Sequence, residues 1–242
     1  DGLQLSAVQQ TSAIATGTIE VVSTTGLLDV LAGGAGIGTF GSGSISLHAR
    51  GAAAGNLSVN ALVQTISGAI TLRADNNVTF TANGDVASGS GNVTVNADDD
   101  NSGVAGGLLT MADGALINAG SGTITLTSDG DVTLGGLQTT NATATAVQVT
   151  SREGGIIDGG DSDIDIIANA AGSLVTLNAA GGIGHGNALE TTIARLAATN
   201  SGSGSSDRSL GRITGLTCRF SWLSLLILAH RLECSGSSHC MV

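Results

Sequence analysis

An internal repeat constrains this chain more than any other feature. Residues 122–134 read GTITLTSDGDVTL, two short alternations either side of a Ser128-Asp-Gly-Asp131 corner. Period-two alternation puts Ile124 and Leu126 on one face of an extended strand and Thr123, Thr125 and Thr127 on the other. The corner carries the glycine and short polar residues that let a backbone turn sharply. Fifty-four positions earlier the same unit stands as AITLRADNNVTF (69–80), identical at six of twelve aligned positions. A chain that repeats a strand–corner–strand unit builds a solenoid, each unit burying its apolar face against the next.

The same grammar recurs: a small residue, alternating aliphatic and polar positions, then a small residue. It begins at Gly17, Gly43, Gly55, Gly68, Asn76, Gly91, Gly122, Gly130, Thr145, Ser162 and Ser173. The starts at 43, 68 and 91 are 25 and 23 residues apart, and those at 122 and 145 are 23 apart. Other starts fall between, so each turn holds more than one strand. The pattern predicts an all-β fold, a parallel β-helix of about nine turns, with strands roughly 4.8 Å apart and a length on the order of 40 Å. Outward Thr, Asn and Ser are placed to form ladders between turns. The absence of proline agrees, because stacked strands use every backbone N–H. LETTIARLAA (189–198) is the only stretch of the body with a helical face, and it reads equally as a wider turn of the coil.

Composition narrows the core. Four aromatics, Phe40, Phe80, Phe220 and Trp222, cannot furnish a large globular interior, so the core is built of small aliphatics in thin layers. Residues 1–206 hold 17 acidic residues against four Arg (−13), while 207–242 hold two against four (+2). An acidic body repels phosphate backbones, which argues against nucleic-acid partners. Cysteine is confined to Cys218, Cys234 and Cys240, so the body uses no disulfide. No Met opens the chain, and it reads as a fragment of a longer protein.

The repeat region spans 1–206 and closes on the flexible Ser201–Ser206 linker. Residues 207–242 lack the alternation and form a non-repeat C-terminal tail. It reads as disordered, as a mispredicted end, or as a short capping helix. Its apolar run Phe220–Ala229 is ten residues, too short to span a bilayer, so no transmembrane segment is expected.

The segments 26–51, 107–137 and 179–202 resemble the filamentous-haemagglutinin-like passengers of two-partner secretion and autotransporter systems, large exoproteins of bacteria. The resemblance covers about residues 10–202 and rests on repeat texture. It implies a right-handed parallel β-helix, a secreted or outer-membrane-associated location, and an adhesive or filament-forming role toward a cell-surface glycan or protein. The Asn-Pro motifs of the family's secretion domain and a membrane barrel are absent from this sequence.

Chemistry is sparse. Asp161, Asp163 and Asp165, and separately Asp98–Asp100, are the densest carboxylates and the weak candidates for Ca2+, which takes six to eight oxygens. As strand residues, Asp163 and Asp165 would project together, opposite Ile164 and Ile166; the alternative is a solvated corner. No cofactor is otherwise expected. Gly36–Gly41 matches GxGxxG but leads into a strand, not a helix, and no lysine exists for a P-loop. His48 reads as an outward surface residue and His185 as a corner residue. In the tail, His230, Cys234, His239 and Cys240 lack the paired CxxC spacing of a zinc site. Asn56, Asn77, Asn92 and Asn141 begin N-x-Ser/Thr triplets that the strand grammar generates by itself.

Two roles remain. One is a structural or adhesive repeat segment without enzymatic activity. The alternative is a β-helical polysaccharide lyase or hydrolase, with Asp163 and Asp165 joined by Arg152 or Arg195. A flat array for ice or glycan, suggested by Thr123-x-Thr125-x-Thr127 and Thr143-x-Thr145, needs threonines aligned in every turn, and the turn spacings look irregular.

Overall fold

A computed structural model describes residues 2–101, 107–160, 162–184, 187–201, 213–214, 233–235 and 239–241. Short strands stack in parallel into a β-solenoid of about 8 turns. Three sheets run along it, of 7, 11 and 8 strands. In one full turn the chain passes through Val78–Phe80 of the first sheet, Val86–Ser88 of the second and Val93–Ala97 of the third. Among the described residues the only helical element is a 3-10 turn, Ala52–Ala54.

The third sheet is the most regular. Its strands are five residues each, from Ile19–Ser23 through Ile70–Ala74 and Ile124–Ser128 to Leu196–Asn200. The repeat found in the sequence lies here: Ile70 and Ile124 share one inward column, Leu72 and Leu126 the next. Leu126 is fully buried between Val95 and Val149 of the adjoining turns. The third inward position takes Ala49, Ala74, Ala97, Ser128, Ser151 and Ala179, small because the chain turns there.

Glycine opens these strands for a geometric reason. A Cβ on Gly68 would lie 1.9 Å from the Gly43 carbonyl oxygen, and one on Gly91 1.8 Å from that of Gly68. Backbones of successive turns meet at this corner with no room for a side chain.

The irregular spacing between turns is absorbed in the corners. From Ile70 to Val93 the step is 23 residues, from Val93 to Ile124 it is 31, yet both pairs stand in direct register. The extra length lies between Ala97 and Leu109, where Asp98 and Asn101 take left-handed backbone angles of φ 59 and 48. LETTIARLAA is resolved as the strands Leu189–Ile193 and Leu196–Asn200, the wider-turn alternative. Branched and apolar side chains there face turns already stacked below, and the sheet overrides local helical propensity.

The first turn is less sealed than those that follow. Leu5, Val8, Ile19 and Val21 are only partly buried against the core, whereas Val30, Ile37, Ile45 and Leu47 of the next turn are closed off. Of the tail, Ile213–Thr214 pairs in parallel with Leu189–Ile193, and His239–Met241 pairs antiparallel with it and with Glu233–Ser235. The run Phe220–Ala229 lies outside the described residues.

Candidate functional site: a polar face and a charged ridge

The outward positions of the third sheet form two columns. One carries Ser46, Thr71, Thr94, Thr125, Gln148 and Thr176 in register. The other carries His48, Arg73, Asn96, Thr127, Thr150 and Asn178. Neighbours within a column are separated by the strand spacing of about 4.8 Å. The strands are thus in register despite unequal turn lengths, but only Thr125 and Thr127 form a Thr-x-Thr pair among these turns, so threonine pairs are not aligned in every turn. Thr143 and Thr145 take no part in this face: their hydroxyls face each other at 3.2 Å, and Thr143 donates to Asn141 Oδ1 at 2.5 Å.

At the corner that follows these strands, charges of both signs gather into a ridge. His48 is outward by alternation but only 4% exposed, not the surface residue expected of it. Two carboxylates from the turns above close over it: Asp75 Oδ1 lies 3.1 Å and Asp99 Oδ2 3.4 Å from its Nε2. Arg50 Nε donates to His48 Nδ1 at 3.2 Å, and Arg73 Nη1 stands 3.6 Å from Asp99 Oδ2. The carboxylates are held from behind, Asp75 Oδ2 by the Gly51 N–H at 2.8 Å and Asp99 Oδ1 by Asn96 Nδ2 at 2.6 Å. Burial alone would raise the Asp75 pKa, but the Gly51 N–H and the His48 imidazole outweigh it and hold the carboxyl below its ordinary 3.8.

Further along, Arg152 Nη1 bonds Asp129 Oδ1 at 2.7 Å. That bond lowers the Asp129 pKa; burial opposes it, and the Asp98 side chain adds to it. The ridge could have been found by writing the strands in register, because His48, Arg73 and Asn96 share one position and Asp75 and Asp99 follow the strand ends. The residues are far apart in sequence, and no local motif marks them.

The carboxylates singled out for Ca2+ fare differently. Asp161 lies outside the described residues. Asp163 is exposed whereas Asp165 is 3% exposed, so the two do not project together. The reason is register: the strand begins only at Ile166, and Ile164 is 47% exposed beside the buried Ile166. Asp163 and Asp165 do line one depression, about 170 Å³ in volume, with Asp113 and Leu116. Asp165 Oδ2 accepts the Glu190 N–H at 2.7 Å, however, which makes it a clasp between turns.

Such clasps recur. Immediately before a strand, Asn56, Asn77, Asp85, Asn92 and Asp131 likewise accept a backbone N–H of the next turn, from Asn77, Leu108, Leu116, Thr123 and Gly155. Three of the N-x-Ser/Thr asparagines therefore have a structural task. Of the arginines considered for a polysaccharide-cleaving site, Arg152 pairs with Asp129, and Arg195 donates to the Gly172 and Ser173 carbonyls. His185, His230, and the side chains of Cys234, His239 and Cys240 lie outside what is described.

No described helix is long and apolar enough to cross a membrane. Comparisons with protein-family models, curated proteins and solved structures found no match to this chain.

Proposed function

We propose that this chain is a structural and adhesive repeat segment of a larger secreted or surface-exposed bacterial protein, of the filamentous-haemagglutinin-like kind. The observation that carries the reading is the outward face of the third sheet, two in-register columns of mostly polar side chains, rich in Thr, running through the stack. The hydroxyls of Thr39, Thr65, Thr139 and Thr140 are engaged in hydrogen bonds inside the protein and lie off this face. Thr71, Thr94, Thr125, Gln148 and Thr176 of the first column, with Thr127, Thr150 and Asn178 of the second, are partly exposed, so a cell-surface glycan or protein exchanges with water at their polar groups at little desolvation cost per group. Flat, repetitive contact of this kind gains strength through many weak bonds acting together.

The test is adhesion of cells to the immobilised chain, with soluble chain as competitor. The reading expects saturable binding that falls when Thr94, Thr125 and Thr127 are changed together to Asp, with the thermal transition preserved. Absence of binding, or release of reducing sugar from polysaccharide by the chain, would overturn it in favour of no adhesive role or of an enzyme.

A further inference from the structure

The convergence on His48 goes beyond an adhesive scaffold. A neutral imidazole carries one N–H, and its direction cannot suit two acceptors at once. Yet Nε2 faces the Asp75 and Asp99 oxygens at 3.1 and 3.4 Å, and the three atoms all lie within 4.8 Å of one another. We propose that His48, Asp75 and Asp99 form a binding site for a divalent transition-metal ion of the zinc class.

Distances support the ligand set. Metal–nitrogen and metal–oxygen bonds of about 2.0–2.2 Å in a tetrahedron set ligand atoms roughly 3.3–3.5 Å apart, close to the 3.1 and 3.4 Å that separate Nε2 from the two carboxylate oxygens. Imidazole nitrogen favours zinc, cobalt or nickel over calcium and magnesium, which prefer all-oxygen shells. Two carboxylates neutralise the ion's charge. Their second oxygens are already held, by Gly51 N–H and Asn96 Nδ2, which fixes the first oxygens toward the ion. Water completes the fourth position.

The two arginines define the competing state. While Arg50 Nε donates to Nδ1, the imidazole proton must reside on Nε2. Binding moves that proton to Nδ1 and releases Arg50, leaving the Nε2 lone pair for the metal. Arg50 is exposed and the Arg73 side chain is 35% exposed, so both turn into water as the ion takes their place. Arg50 therefore opposes the metal, and removing it should favour binding.

The experiment titrates Co2+ into the chelator-stripped full chain carrying Cys218→Ser, Cys234→Ser and Cys240→Ser, so that tail thiols take no cobalt. The visible d–d absorption reports coordination, and competition with Zn2+ gives its affinity. One Co2+ per chain is expected with a four-coordinate spectrum. Affinity should fall more than about tenfold in Asp99→Asn and in His48→Gln, and rise in Arg50→Ala. Circular dichroism checks that each variant keeps its fold. Should His48→Gln unfold, the paired responses of Asp99→Asn and Arg50→Ala decide. Cobalt binding that is absent, six-coordinate, or unchanged by these substitutions would overturn the site while leaving the adhesion test untouched.

Discussion

The Oδ2 atom of Asp165 accepts the backbone N–H of Glu190 at 2.7 Å, one turn further along the chain. Asp165 is buried, so truncation strands that N–H without solvent. Asp165→Ala should cost about 1–3 kcal/mol, and Asp165→Asn, which keeps an acceptor as Asn77 and Asn92 do, clearly less. Urea titration of both variants measures this. Equal losses would show that charge, not the clasp, is what matters at this position.

Leu126 and Thr125 are adjacent and face opposite ways. Leu126→Asp places a carboxylate between Val95 and Val149 and should cost several kcal/mol, about 3 or more, even after its pKa rises. Thr125→Asp puts the charge at the polar face and should cost under about 1 kcal/mol. Comparable losses in denaturant titration would contradict the inward–outward register of the third sheet.

Gly91 tests the corner. Its Cβ would meet the Gly68 carbonyl oxygen at 1.8 Å, a backbone atom that no rotamer change can move. Gly91→Ala should destabilise by about 1–3 kcal/mol, as overpacking does. At Gly33 a Cβ meets nothing within 4 Å, and only its φ of +73 opposes alanine, so the loss there should be about 1 kcal/mol. A calorimetric comparison that found Gly33→Ala the worse would mean turns at this corner are further apart than described.

Acid should weaken the ridge in a defined window. The folded-state pKa values of Asp75 and Asp129 are held below the ordinary 3.8. Their contribution is complete above that value and is lost as pH falls through the depressed ones. The Arg152 side chain is 40% exposed, so solvent screening limits its bond with Asp129 to under about 1 kcal/mol. Asp129→Asn should therefore lower the urea midpoint slightly at pH 7, and the difference should shrink as pH falls below 3.8 and vanish once Asp129 is protonated in the folded state. A difference that persists in acid would assign the effect to packing.

The fold was legible because a solenoid writes each layer into the sequence with local periodicity. Ile70 with Leu72 and Ile124 with Leu126 announced their strands within a few residues. Register was harder, since corners of unequal length hide the fact that Thr94 stands beside Thr125. The ridge was invisible to motif reading because His48, Asp75 and Asp99 belong to three successive turns and meet only when those turns stack. Asp163 and Asp165 misled because alternation was extended backward past the start of the strand at Ile166.

The parallel stacking of successive turns has a mechanical meaning. Inter-turn hydrogen bonds in this protein point along the stack, so a pull on its ends loads the turns in series and not all at once. A turn of 23 residues, the step from Ile70 to Val93, releases roughly 75–80 Å of chain as it unwinds. Under load such a coil behaves as a spool, releasing length turn by turn and dissipating work as each turn lets go.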